Sequence, residues 1–144
     1  MPISPPTPLA EDSLMRARLV IRGKYDFAVD GGAQSTIAIT AGTPIPSGSV
    51  IVGGYVDVTT ALTSGGAATI ACQVNAANDI LTAVAVASWT TGRKNILAAL
   101  TAGDLTTGTQ VKLTADRNIS IVIGAANLTA GVFNVVLFVA PPLA

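Results

Sequence analysis

A chain of 144 residues is the size of one domain, and a domain of this length buries roughly 70% of the surface its unfolded chain exposes, so no disulfide or metal staple is required. Histidine is absent, and there is one cysteine, Cys72, and one glutamate, Glu11. That excludes a Ser-His-Asp or Cys-His catalytic group within one chain, a Cys/His zinc site and an intrachain disulfide. Lys+Arg 8 balances Asp+Glu 8, which argues against binding driven by release of many phosphate counterions.

The charged fraction is 11% and the apolar fraction 50%, where soluble domains ordinarily carry about 25% charged residues. A surface built from Ala, Thr, Gly and Val is often covered by a partner, since large apolar patches tend to mark interaction sites. The composition therefore points to an assembly protein more than to a freely diffusing enzyme. The most apolar run, residues 132–140, is interrupted by Asn134 and closed by Pro141 and Pro142, short of the about 20 residues a spanning helix needs. Residues 1–6 show neither a basic start nor an apolar run, so no secretory leader is expected, and the chain is expected to be made and kept soluble in a cytoplasm.

Along the chain, Pro2, Pro5, Pro6 and Pro8 forbid a helix at the start, and residues 1–15 read as an extended arm, with a short helical turn open to residues 11–15. At roughly 3.1–3.3 Å per residue such an arm reaches on the order of 45 Å, enough to cross onto a neighbouring subunit. Pro5, Pro6, Leu9 and Leu14 are its candidate contact residues. Residues 16–144 read as a single all-β domain, an antiparallel β-sandwich of jelly-roll-like type. Strands are expected at residues 18–29, 36–40, 50–60, 69–75, 81–88, 110–115, 120–124 and 131–139, rich in Val, Ile and Thr and punctuated by Gly, Asn, Asp and Pro turns. Alternation is clearest in Ile70, Cys72 and Val74 and in Ile119, Ile121 and Ile123. Residues 96–102 are the one stretch where a short helix competes, and they read as strand or loop. Gly53-Gly54 marks a bulge, where a bent strand would contribute to two sheets; no Gly-Lys-Ser/Thr follows to make a phosphate loop.

Four clusters present candidate chemistry. Arg16, Arg18, Arg22 and Lys24 share one parity, which puts them on one strand face with Leu19 and Ile21 turned inward. They read as a charge-protected edge strand, or as a docking face for an acidic protein surface, with Asp26 and Asp30 on the same face. Trp89 beside Arg93 and Lys94 resembles a stacking site for sugar or nucleic acid, but reads better as a partly buried anchor followed by a solvated turn, and as a protein contact if it has a function. Asn75, Asn78 and Asp79 carry calcium-type oxygens, but one carboxylate is thin charge for a cation, and the same residues cap turns. Cys72 alternates with apolar residues and reads as buried. No catalytic residue, cofactor or metal ligand is assigned.

Two segments carry a resemblance: Lys24-Tyr-Asp-Phe-Ala-Val-Asp-Gly-Gly-Ala33, and the run from Ile45-Pro-Ser-Gly-Ser-Val-Ile-Val-Gly-Gly-Tyr55 to Thr69, continuing through Asn78-Asp-Ile-Leu81. Together they resemble small virion structural proteins of tailed bacteriophages, of the kind encoded near the major capsid protein. The resemblance implies a capsid decoration, or cement, role: β-rich subunits, often trimeric, that lack enzymatic activity, clasp neighbours with terminal arms and bind the major capsid protein on the capsid surface of the virion. It supplies no ligand-binding residues and does not cover the arm. The alternative reading is a knob, fibre or baseplate module that binds host surface glycan, with Trp89, Tyr25 and Tyr55 as stacking residues. Neither reading involves specific nucleic acid or a membrane.

Overall fold

Period-two burial organises the chain. In a computed structural model describing residues 19–96 and 110–142, eight strands form: β1 (Leu19–Asp26), β2 (Ser35–Ala38), β3 (Val50–Ser64), β4 (Thr69–Gln73), β5 (Leu81–Ala85), β6 (Gly92–Asn95), β7 (Ser120–Gly124) and β8 (Leu128–Ala140). They make two four-stranded sheets, ordered β1-β8-β3-β6 and β2-β7-β4-β5. The ladders nest: β1 pairs with β8, β2 with β7, β3 with β6 and β4 with β5, all antiparallel. The β3–β8 and β4–β7 ladders join these pairs into sheets. Such nesting is a hairpin rolled upon itself, and it defines the expected antiparallel β-sandwich as a jelly roll.

The two sheets bury one shared core. Ile70, Cys72, Ile121 and Ile123 from one sheet join Tyr25, Val56, Phe133, Val135 and Leu137 from the other. Phe133 is fully buried, with its ring 5.2 Å from Tyr25 and 4.8 Å from Trp89. The inward residues of both alternations are as read, since Ile70, Cys72, Val74, Ile119, Ile121 and Ile123 are all buried, but Ala71, of the opposite parity, is buried as well at 2% exposure.

Several boundaries differ from expectation for local reasons. Residues 27–30 form a helical turn, α1 (Phe27–Asp30), instead of continuing β1. The Asp26 carboxylate accepts the Ala28 N–H at 3.1 Å, the Asp30 carboxylate accepts the Asp26 N–H at 2.8 Å, and Gly31, with φ +74, closes the turn. Asp30 is thus engaged with backbone and does not extend a charged strand face. Residues 86–88 wind into a 3-10 turn. Residues 110–115 form no regular strand; a single bridge joins Lys112 to Val50, and the Leu113 N–H donates to the Ser49 carbonyl at 2.8 Å. Conversely, Arg93 and Lys94 do not tip a turn; they lie in β6, paired with Asp57 and Val56. The register shift between Ile51 and Gly53 is the expected bulge, yet β3 stays in one sheet, because its pairing with β8 continues to Ser64 and Leu128. Within 96–102, only Ile96 is described. The arm, with Pro5, Pro6, Leu9, Leu14 and also Arg16 and Arg18, lies outside the described residues.

Gly131 has φ +136, and a Cβ there would stand 2.6 Å from Leu62 Cγ. Left-handed strain and overpacking act together, so Gly131→Ala is expected to destabilise the fold by about 2–4 kcal/mol, read as a lower urea midpoint with an unchanged slope. A midpoint equal to that of the unaltered protein would show that the β3–β8 contact is not rigid at this position.

Candidate interaction surfaces

The outer face of the β1-β8-β3-β6 sheet is built by register. Arg22, Val136 and Tyr55 share one row, and Lys24, Asn134, Asp57 and Arg93 the next. Arg22 and Lys24 project outward on an edge strand while Leu19, Ile21 and Tyr25 turn inward, as parity requires. Part of that edge is covered: the Lys24 N–H donates to the Ile39 carbonyl at 3.1 Å, and the Ala41 N–H to the Arg22 carbonyl at 2.8 Å. The Lys24 ammonium lies 3.2 Å from Asp26, an exposed pair of small energetic weight.

On the other edge, the Arg93 guanidinium sits 4.3 Å from the Tyr55 ring centroid and 4.0 Å from the Asp57 carboxylate. The Tyr55 ring is 6.1 Å from Phe138, whose own ring lies against Gly53, where a Cβ would approach it to 3.2 Å. Phe138, Tyr55 and Arg93 thus form a diagonal ridge across three strands, a cation–π contact worth about 0.5–1 kcal/mol at such exposure. Sequence alone did not show this ridge. Its signal, the outward parity of Tyr55, becomes readable only once Arg93 is known to be in a strand.

The remaining predicted residues have other surroundings. Trp89 is 3% exposed and belongs to the core; its Nε1 has no acceptor among the described residues, and it lines a small apolar pocket of about 140 Å³ with Val56, Leu81 and Val84. Tyr25 is wholly buried and donates its hydroxyl to the Gly31 carbonyl at 2.8 Å. Neither ring presents a stacking face to a glycan, which leaves only Tyr55 of the three aromatics in that reading, already covered by Arg93. The Asp79 carboxylate accepts the N–H groups of Val74, Asn75 and Ala76, and Asn75 Oδ1 accepts from Thr114 N–H and hydroxyl. These oxygens serve the turn. Among the described residues no group of three His, Cys, Asp or Glu side chains could hold a metal ion, and no helix is long and apolar enough to cross a membrane.

The opposite sheet differs in kind. None of its strands, β2 (STIA), β4 (TIACQ), β5 (LTAVA) and β7 (SIVIG), contains a charged residue. The sheet with β1, β3 and β6 holds Arg22, Lys24, Asp26, Asp57, Arg93 and Lys94. With Ile121 and Ile123 committed to the core, Ser120 and Val122 face outward, in rows with Ala38 and Gln73 and with Thr36, while Ala71 beside Val122 is buried. That face can lie against another surface without stripping water from an ion.

Comparison with known proteins bears on the fold. No protein-family model matches the chain, and neither does any curated protein sequence. Solved structures do. A chain of the cyanophage Pam1 capsid asymmetric unit is similar with a TM-score of 0.58 at 19% identity, over 87% of this chain and 85% of its own. A chain from the capsid of Ralstonia phage GP4 gives 0.60 at 16% identity, over 88% and 86%. One from the acidic stable capsid of Helicobacter pylori bacteriophage KHP30 gives 0.50 at 12%, over 84% and 86%. At these identities, what is shared is the fold.

Two buried acids make stability depend on alkaline pH. Desolvation, then the charges of Asp30 and Asp26, push the Tyr25 hydroxyl up to about 12 from 10.0. Burial pushes the Cys72 thiol up to about 12 from 9.0. In the unfolded chain both ionise first, so above pH 9 the unfolded state binds fewer protons and stability falls with pH until both groups have ionised in the folded state near pH 12. The urea midpoint is expected to show no contribution from these groups below about pH 8 and to decline above pH 9, less steeply in Tyr25→Phe. A decline of equal slope in that variant would remove Tyr25 from the account.

Proposed function

We propose that the protein is a bacteriophage virion structural protein, specifically a capsid decoration protein that self-associates as a trimer and binds the shell of the major capsid protein. The observation that carries this reading is the two-sheet fold, shared over 84–88% of this chain with chains from three phage capsid structures. The β2-β7-β4-β5 sheet, whose strands carry no charged residue, supports it.

The mechanism is mechanical. Subunits bridge neighbouring capsomers on the outer surface and bury apolar area across the joint. A protein that binds only the assembled shell stabilises it by mass action, which opposes both expansion and rupture. Each subunit contact needs more than roughly 1,000 Å² to be specific. The partners are further copies of this chain and the major capsid protein; no cofactor, specific nucleic acid or membrane enters.

The intact protein added to undecorated shells is expected to bind stoichiometrically and raise the temperature at which they rupture, and alone to sediment as a trimer. A monodisperse monomer that leaves shells bare would overturn the reading. Thr36→Lys combined with Val122→Lys places two cations on the charge-free face; the protein is expected to remain folded by circular dichroism while self-association or shell binding weakens at least about tenfold, the desolvation cost of buried unpaired ions. Unchanged binding of both kinds would assign the contacts to another face.

A further inference from the structure

β5 and β6 are each the last strand of a sheet, and the apolar pocket of about 140 Å³ lies between them. Leu81 and Val84 of β5 and Lys94 of β6 line it, together with Val56, Trp89 and Ile96. The opposite edges of the sandwich are closed, since Thr40 bridges to Gly23 of β1 and the Ala41 N–H donates to the Arg22 carbonyl. Parity decides what faces the pocket. Arg93, paired with Asp57, stands over Tyr55 on the outer face of its sheet. Lys94 is the next residue, so its side chain takes the inner face, in register with Val56, which is 1% exposed. A cation is thus held on the core-facing side of an edge strand, at the wall of an apolar cavity. Its ammonium donates to the hydroxyl of exposed Thr90 at 3.1 Å, which places it at the mouth. No carboxylate pairs with it among the described residues, where the ion pairs are Lys24–Asp26 and Arg93–Asp57.

We propose that this pocket binds a small organic acid, a monocarboxylate with a compact aromatic or branched apolar body, and that its carboxylate pairs with Lys94. The walls select the body: a dry cavity of about 150 Å³ lined by apolar side chains takes up a benzene-sized molecule, so a long acyl chain or an oligosaccharide is too large. Lys94 selects the head, because a partly buried ammonium gains most from an anion it can hydrogen-bond. The bond to Thr90 fixes where that anion sits. An inward lysine also guards an edge strand against pairing with another chain, but that role requires neither a cavity nor an apolar wall. A bound acid spans the gap between β5 and β6, and so stabilises the folded chain by mass action. The proposal does not depend on the decoration role.

The test uses the full chain. Trp89 is its single tryptophan and forms part of the pocket wall, so its emission reports occupancy. Phenylacetate is expected to change that emission saturably, with a dissociation constant on the order of 1 mM, and to raise the urea midpoint. Phenylacetamide, which keeps the ring and loses the charge, is expected to bind at least about tenfold more weakly, and acetate, which keeps the charge and loses the ring, to give no saturable change. Lys94→Met keeps the apolar stem; it is expected to weaken phenylacetate binding at least about tenfold while leaving phenylacetamide binding as it was, with the fold checked by circular dichroism. In the unaltered protein, no saturable response to phenylacetate, or an equal affinity for phenylacetamide, overturns the proposal. Phenylacetate binding as tight in Lys94→Met as in the unaltered protein overturns it too, and leaves Lys94 as a guard of the edge alone.

Discussion

The structure depends on the ladder between β3 and β8. It runs from Val50 and Ala140 to Ser64 and Leu128, and it places the strand farthest along the sequence between two that come much earlier. Until β8 is seated, β1 has no partner in its sheet and β3 only the short β6. Phe133, at the middle of β8, is also the residue on which Tyr25 and Trp89 converge, so the strand that completes the sheet also seats the β5–β6 connection against it. Such pairings close long loops before they gain contacts, which makes folding slow and leaves apolar edges transiently bare. A chain poor in charge has few ions with which to protect those edges in the interval.

The same economy of charge separates the two faces. Cations, acids and the Phe138–Tyr55–Arg93 ridge belong to the β1-β8-β3-β6 sheet, and the other sheet presents Thr, Ser, Ala and Val. Under the proposed function that division has a use: the neutral face loses little on desolvation against a partner, and the charged one stays hydrated.

Much of this was legible because a sandwich core obeys period two. Residues 119–124 alternate cleanly, and the inward placement of Cys72 and the outward placement of Arg22 and Lys24 follow from counting. What escaped was set by partners distant in sequence, or by local side-chain hydrogen bonds that override the pattern. Thr91-Gly92 with two cations has the chemistry of a turn, and only the ladder from Tyr55 to Val58 makes it a strand. Phe27 and Val29 continue the alternation of β1, but the Asp26 and Asp30 carboxylates satisfy local N–H groups first and wind the chain. Trp89 reads as a partly buried anchor before the turn with Arg93; it is 3% exposed, packed on Phe133 more than forty residues away in the sequence. The uncharged face was visible as a composition but not as a surface, since its strands are scattered from β2 to β7.

The register of β1, β3 and β8 also gives the molecule two unlike poles. Leu19, Val50 and Ala140 gather at one, while α1, Gly65-Gly66 and the turn at residues 125–127 gather at the other. The turns of the second pole are short and exposed, and peptide spliced into them leaves the ladders of both sheets intact. Under the proposed virion role each particle would then carry that peptide once per subunit, which makes this pole a platform for multivalent display.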